Sequence, residues 1–201
     1  IYCVLIGTTS PAFVLAVQNT SVANVVLIFA SMPVFSAILS FLILSERPSR
    51  QLLLTSCFVF VGLAIIGLGS SSGTTAHWIG DLWAVYIVIA FSTALTLLRR
   101  QKHISMLPAI PIGYIGAACV MFWFIDPFET VATDGALYLL HGVLIAVSTC
   151  GLTLGPRYIS ATEVSLLILL ESVFAPILAW LLLSEIPAQS TIIGGFFILV
   201  R

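Results

Sequence analysis

One acidic residue stands inside a long apolar run: Glu171, about ten residues into the stretch 162–184. At that depth in a bilayer an ionised carboxylate costs on the order of 3 kcal/mol unless it is paired or hydrated. Two chemistries suit such a group, proton coupling of transport and recognition of a cationic solute. A structural role competes with both, because Pro176 cannot donate to Ser172 and a protonated carboxyl could serve the freed backbone. Two polar pairs lie seven residues apart, each on one helical face: Tyr86 with Thr93, and His141 with Ser148. They are candidates to line a solute cavity. Thr8, Thr9 and Ser10 precede Pro11 and suit either a cavity wall or carbonyls released at a kink. Glu163, in a first helical turn, is expected to favour the helix dipole. Glu46 and Glu185 each close a helix, where the dipole disfavours an anion. They are expected to accept orphan N–H groups of the helix that follows, a structural role.

The elements that position these groups must be membrane helices. Of 201 residues, 60% are hydrophobic and 7% charged, with a mean hydropathy of +1.20. A soluble domain carries roughly 25% charged residues to face water. Net charge is −1 with no basic block, which leaves nucleic-acid binding without a footing. Cys3, Cys57, Cys119 and Cys150 sit within apolar runs without metal-ligand spacing, and are expected to be small buried hydrophobes.

A bilayer crossing takes roughly 20 apolar residues. By that measure there are eight segments, at about 1–17, 22–45, 50–68, 80–98, 108–125, 136–154, 162–184 and 188–201. The chain starts at Ile1 without Met, and its last run rises only about 20 Å as a helix, so a fragment of a longer protein is expected. If crossings alternate, Arg47, Arg50, Arg99, Arg100, Lys102, Arg157 and Arg201 all fall on one side. That side is expected to be the cytoplasmic face of the cell membrane. Asp81, Asp126, Glu129, Asp134 and Glu185 fall on the other, near Trp78, Trp83, Trp123 and Tyr138, which suit an interfacial belt.

The chain also repeats itself. Ser31–Pro48 aligns without gaps on Leu170–Pro187, and both blocks end in Ser-Glu-x-Pro. The copies are an odd number of crossings apart, so they are expected to run in opposite directions, as inverted repeats of secondary transporters do. Ser36 and Ser40 align with Ala175 and Ala179, small residues whose i, i+4 spacing lets helices approach. Met32 aligns with Glu171.

These two blocks, each followed by a further apolar helix, resemble the EamA domain of the drug/metabolite transporter superfamily. Leu169–Glu185, with Gly194-Gly195 beyond it, is the nearest stretch. The resemblance implies an all-α polytopic membrane protein of ten helices in two inverted five-helix repeats. Eight are present: residues 1–70 would be the last three helices of the first repeat, and 78–201 the second, its last helix truncated. In the family the residue after the midmembrane Glu is often Pro; here it is Ser172.

No His-Glu-x-x-His or Gly-x-x-x-x-Gly-Lys motif occurs, so zinc and nucleotide-driven chemistries lack their residues. A second midmembrane Asp for an aspartyl mechanism is missing too. No cofactor or metal is expected. The reading is a secondary transporter, not an enzyme, with a small-molecule substrate, a lipid surround and proton coupling as its partners. A non-transporting polytopic scaffold or intramembrane enzyme is the rival class.

Overall fold

The computed structural model describes residues 1–20, 25, 28–47, 49–50, 54, 56–58, 61, 78–124, 128–171, 174, 177–178, 181 and 193, with 128–133 described as backbone only. Secondary structure among these residues is helical throughout. We label the helices α1 (Tyr2–Asn19), α2 (Met32–Leu44), α3 (Trp78–Arg100), α4 (Ala109–Met121), α5 (Phe128–Leu154) and α6 (Ala161–Leu169). A 3-10 turn, Gly155–Arg157, joins α5 to α6. Both α3 and the stretch Asp134–Arg157 are long and apolar enough to cross a membrane, and α2 and α4 are shorter apolar helices. At 1.5 Å per residue α3 rises about 34 Å, enough for a hydrocarbon core of roughly 30 Å.

The surface has the composition that lipid permits and water does not. Leu137, Leu139, Val143, Leu144 and Val147 of α5 are all exposed, Leu139 at 73%. Lipid tails are as apolar as Leu, so helices gain little by hiding such residues and associate through close packing instead. Small residues accordingly fill the contacts. Ala84, Ser92, Ala94 and Thr96 of α3 are buried, as are Ala12 and Ala16 of α1.

Helix α3 is the hub, packing on α1, α2 and α6. Tyr2 and Ile6 of α1 meet Leu95 and Leu98 of α3 in one apolar cluster, joined by Ala161 and Val164 of α6. Ala12 and Ala16 meet Ala84 and Ile87 in another. The two helices therefore run antiparallel, and Thr20 donates to Asp81 Oδ1 at 2.8 Å where α1 ends and α3 begins.

Several boundaries differ from those read off hydropathy. The segment 22–45 is interrupted by a turn at Ala30-Ser31, because Pro33 has no N–H for the Phe29 carbonyl. The connection expected over Asp126 to Gly135 is helical from Phe128, and Asp134 (φ −122, ψ 22) kinks the helix instead of ending it. The cysteines are free, yet none is buried: Cys57 and Cys119 are exposed, Cys3 and Cys150 half-buried. An apolar residue in a membrane helix faces lipid as readily as protein, which corrects the expectation of burial.

Candidate functional site

The interrupted helix has a counterpart. Ser31 N–H donates to Ile28 O at 3.0 Å, a tightened i→i−3 bond, and the helix resumes as Phe35 N–H reaches Ser31 O at 3.1 Å. Ser31 Oγ donates to the same Ile28 carbonyl at 2.6 Å. In the aligned block, Leu170 N–H donates to Leu167 O at 3.1 Å, and Phe174 N–H to Leu170 O at 3.0 Å. Ser31 aligns with Leu170, and Phe35 with Phe174, so the interruption falls at matching positions. Pro33 causes the first; its aligned residue is Ser172, so the second forms without a proline at that place. A tightened turn leaves carbonyls without their usual partner. At membrane depth such backbone is tolerated only against protein or a wet cavity. The first residue beyond each interruption is Met32 in one block and Glu171 in the other; Met32 is buried and Glu171 exposed.

Three tyrosine–threonine pairs tie the helices together. Tyr86 of α3 meets Thr8 of α1 at 2.6 Å. Tyr114 of α4 meets Thr149 of α5 at 3.1 Å, and Tyr2 of α1 meets Thr153 at 2.7 Å. Thr8, Thr149 and Thr153 also donate to carbonyls of their own helices, which orients their oxygens for the tyrosines. The result is a set of hydroxyls held between apolar helices.

Of the residues singled out by sequence, Tyr86 belongs to this set, with its ring edge-on to Trp83. Thr93 donates to Ile89 O in its own helix. His141 and Ser148 are exposed on α5. Among the described residues no hydrogen bond joins Glu171, Tyr86, Thr93, His141 and Ser148 to one another. The face of α5 turned to the bundle carries Thr149 and Thr153, which sequence reasoning passed over. Their i, i+4 spacing was the available signal. Thr8 and Thr9 do serve carbonyls, but those of Val4 and Ile6, not that of Gly7, which Pro11 leaves free. Glu163 forms a capping box with Ser160, accepting from Ser160 N–H at 2.7 Å while Ser160 Oγ accepts from Glu163 N–H at 3.2 Å.

The charged end is equally connected. Arg99 Nε donates to Glu46 Oε1 at 3.1 Å, and its Nη1 to Pro156 O at 3.3 Å. Arg157 Nε donates to Lys102 O at 3.0 Å. The connections after α2, α3 and α5 thus meet at one end of the bundle. Glu46 takes Arg99 as partner, which the sequence reading of a helix-end carboxylate did not name. Glu185, Arg201, Ala175, Ala179 and Pro176 lie outside the described residues. No group of three His, Cys, Asp or Glu residues able to hold a metal occurs among the described residues.

Apolar helices with lipid-compatible faces and charges gathered at one end define a multi-pass membrane protein. The chain belongs to the EamA-like transporter family, whose model matches residues 1–68 and 78–200. It is 27% identical over 205 aligned residues to an uncharacterized transporter, sll1164, of Synechocystis sp. (strain ATCC 27184 / PCC 6803 / Kazusa). The match covers 92% of this chain and 58% of that relative.

Proposed function

We propose that this chain is part of a secondary transporter, moving a small metabolite or drug-like solute by alternating access between two inverted repeats. Residues 1–70 and 78–201 are the two halves, and the end bearing Arg99, Lys102 and Arg157 faces the cytoplasm. The observation that carries this reading is the matched interruption at Ser31 and Leu170. Transporters of inverted design bind solute where broken helices expose backbone near the midplane. Glu171, directly beyond one interruption, is the coupling carboxylate, exchanging a proton as the halves rock. The hydroxyls of Tyr86 and Thr8 supply hydrogen bonds to a polar solute.

The test is a thermal-shift screen of small metabolites on the intact protein, followed by uptake of any stabilising compound into proteoliposomes. A ligand that raises Tm and accumulates in a protein-dependent way supports transport. A ligand that binds without protein-dependent flux would overturn it.

A further inference from the structure

Between α2 and α6, at the charged end, lies a pocket of about 220 Å³. Ala37 and Ser40 line it from α2, Thr162 and Glu163 from α6, and Glu46 and Arg47 from the connection after α2. Glu46 and Ser40 belong to the first of the two matched segments, Thr162 and Glu163 to the second. The pocket is therefore a seam between them.

Ser40 is only 3% exposed, and its hydroxyl has no hydrogen-bond partner among the described residues. That is unusual for a buried polar atom. By contrast, Thr93, Thr96, Thr149 and Thr153 each donate to the carbonyl four residues back. The Ser36 hydroxyl, one turn deeper, is likewise buried and unpartnered among the described residues. Above them Glu46 is pulled across to Arg99 of the second segment. Ser45 aims it there, through a left-handed backbone (φ 57) that a residue with a Cβ rarely adopts.

We propose that this pocket is a vestibule through which a small polar solute bearing N–H or O–H donors passes between the halves. Ser40 Oγ is its first hydrogen-bonding contact, and the Glu46–Arg99 pair is the latch that closes it. The proposal rests on the transporter reading. On the pocket wall the carboxylates of Glu46 and Glu163, held by Arg99 and Ser160, stand against the cation of Arg47, and with the serine oxygen they are acceptors, which sets the preference for donor-bearing solutes. Breaking the ion pair frees the first half to move from α3 and opens the path past Ser40 to Ser36.

The experiment uses the intact protein in membranes, with Cys3, Cys57, Cys119 and Cys150 replaced and Ser40→Cys introduced. Its modification by a cationic ethylammonium thiosulfonate is timed against that by an anionic ethylsulfonate of similar size. With the pair intact the reaction is slow. Glu46→Gln or Arg99→Gln speeds it about fivefold, the scale of a partly screened ion pair, and the exchange of both charges slows it again. Glu46→Asp keeps the charge but withdraws the carboxylate by one methylene. It gives an intermediate rate and serves if a neutral variant does not fold. The cationic reagent reacts faster than the anionic one. Equal rates with and without the pair overturn the latch. A Ser40→Cys thiol that reacts only after denaturation overturns the vestibule. Labelling reads the opening whether or not solute moves, so latch-dependent labelling in a protein without flux counts against transport alone.

Discussion

Gly7 of α1 and Gly113 of α4 lie backbone against backbone. A Cβ on Gly7 would stand 2.5 Å from the Gly113 carbonyl oxygen, and one on Gly113 2.7 Å from that of Cys3. The neighbouring atoms are main chain and have no side-chain torsion with which to move aside. Where lipid gives no hydrophobic push, approach at this distance lets dispersion hold two helices together.

Gly7→Ala and Gly113→Ala should each force α1 from α4 and cost about 1–3 kcal/mol, as overpacking does elsewhere. Gly116→Ala is the control, since a Cβ there would meet nothing within 4 Å. Melting temperatures in one detergent decide it. If Gly7→Ala melts with Gly116→Ala, the contact contributes nothing.

The capping box at the start of α6 predicts an asymmetry between its two members. Ser160→Ala removes the acceptor of Glu163 N–H and should cost about 1 kcal/mol. Glu163→Gln keeps an oxygen for Ser160 N–H and should cost less. Equal losses, measured by denaturation in detergent, would show that the charge matters more than the geometry.

Glu171→Gln tests coupling. Gln retains size and hydrogen bonding but cannot titrate, so fold and solute binding should persist while pH-driven accumulation in proteoliposomes disappears. Unchanged gradient-driven uptake would remove Glu171 from the mechanism. Loss of cationic solutes alone, with neutral ones spared, would make it a recognition group instead.

Orientation follows from the charged end. Gln101→Cys, beside Arg100 and Lys102, should react with an impermeant thiol reagent only from the cytoplasmic face, and Thr133→Cys only from outside. Labelling of Gln101→Cys in intact cells would reverse the assignment.

Much of the architecture could be read in advance because lipid imposes it. Long apolar runs must be helical when no water can serve the backbone. Pro33 and Ser160-x-x-Glu163 were local signals too, a break and a cap that need no tertiary contact, but the reading by hydropathy ran through the first and named only the Glu of the second. The aligned Ser-Glu-x-Pro blocks carried the family, which the match over 1–68 and 78–200 bears out.

Which face of each helix meets protein was a different matter. In a soluble helix the apolar stripe marks the core, but in α5 almost every face is apolar, so periodicity could not separate Ser148 from its neighbour Thr149. Only the assembled bundle turned Thr149 and Thr153 towards Tyr114 and Tyr2. The partner of Glu46 was hidden for a related reason. Its local surroundings suggested the next helix, whereas Arg99 reaches it across 53 residues of sequence because α2 and α3 end side by side. Composition and spacing determine what a membrane segment is. Contacts between distant segments depend on how small residues such as Gly7 and Gly113 let the backbones meet, and that is decided only when the helices pack.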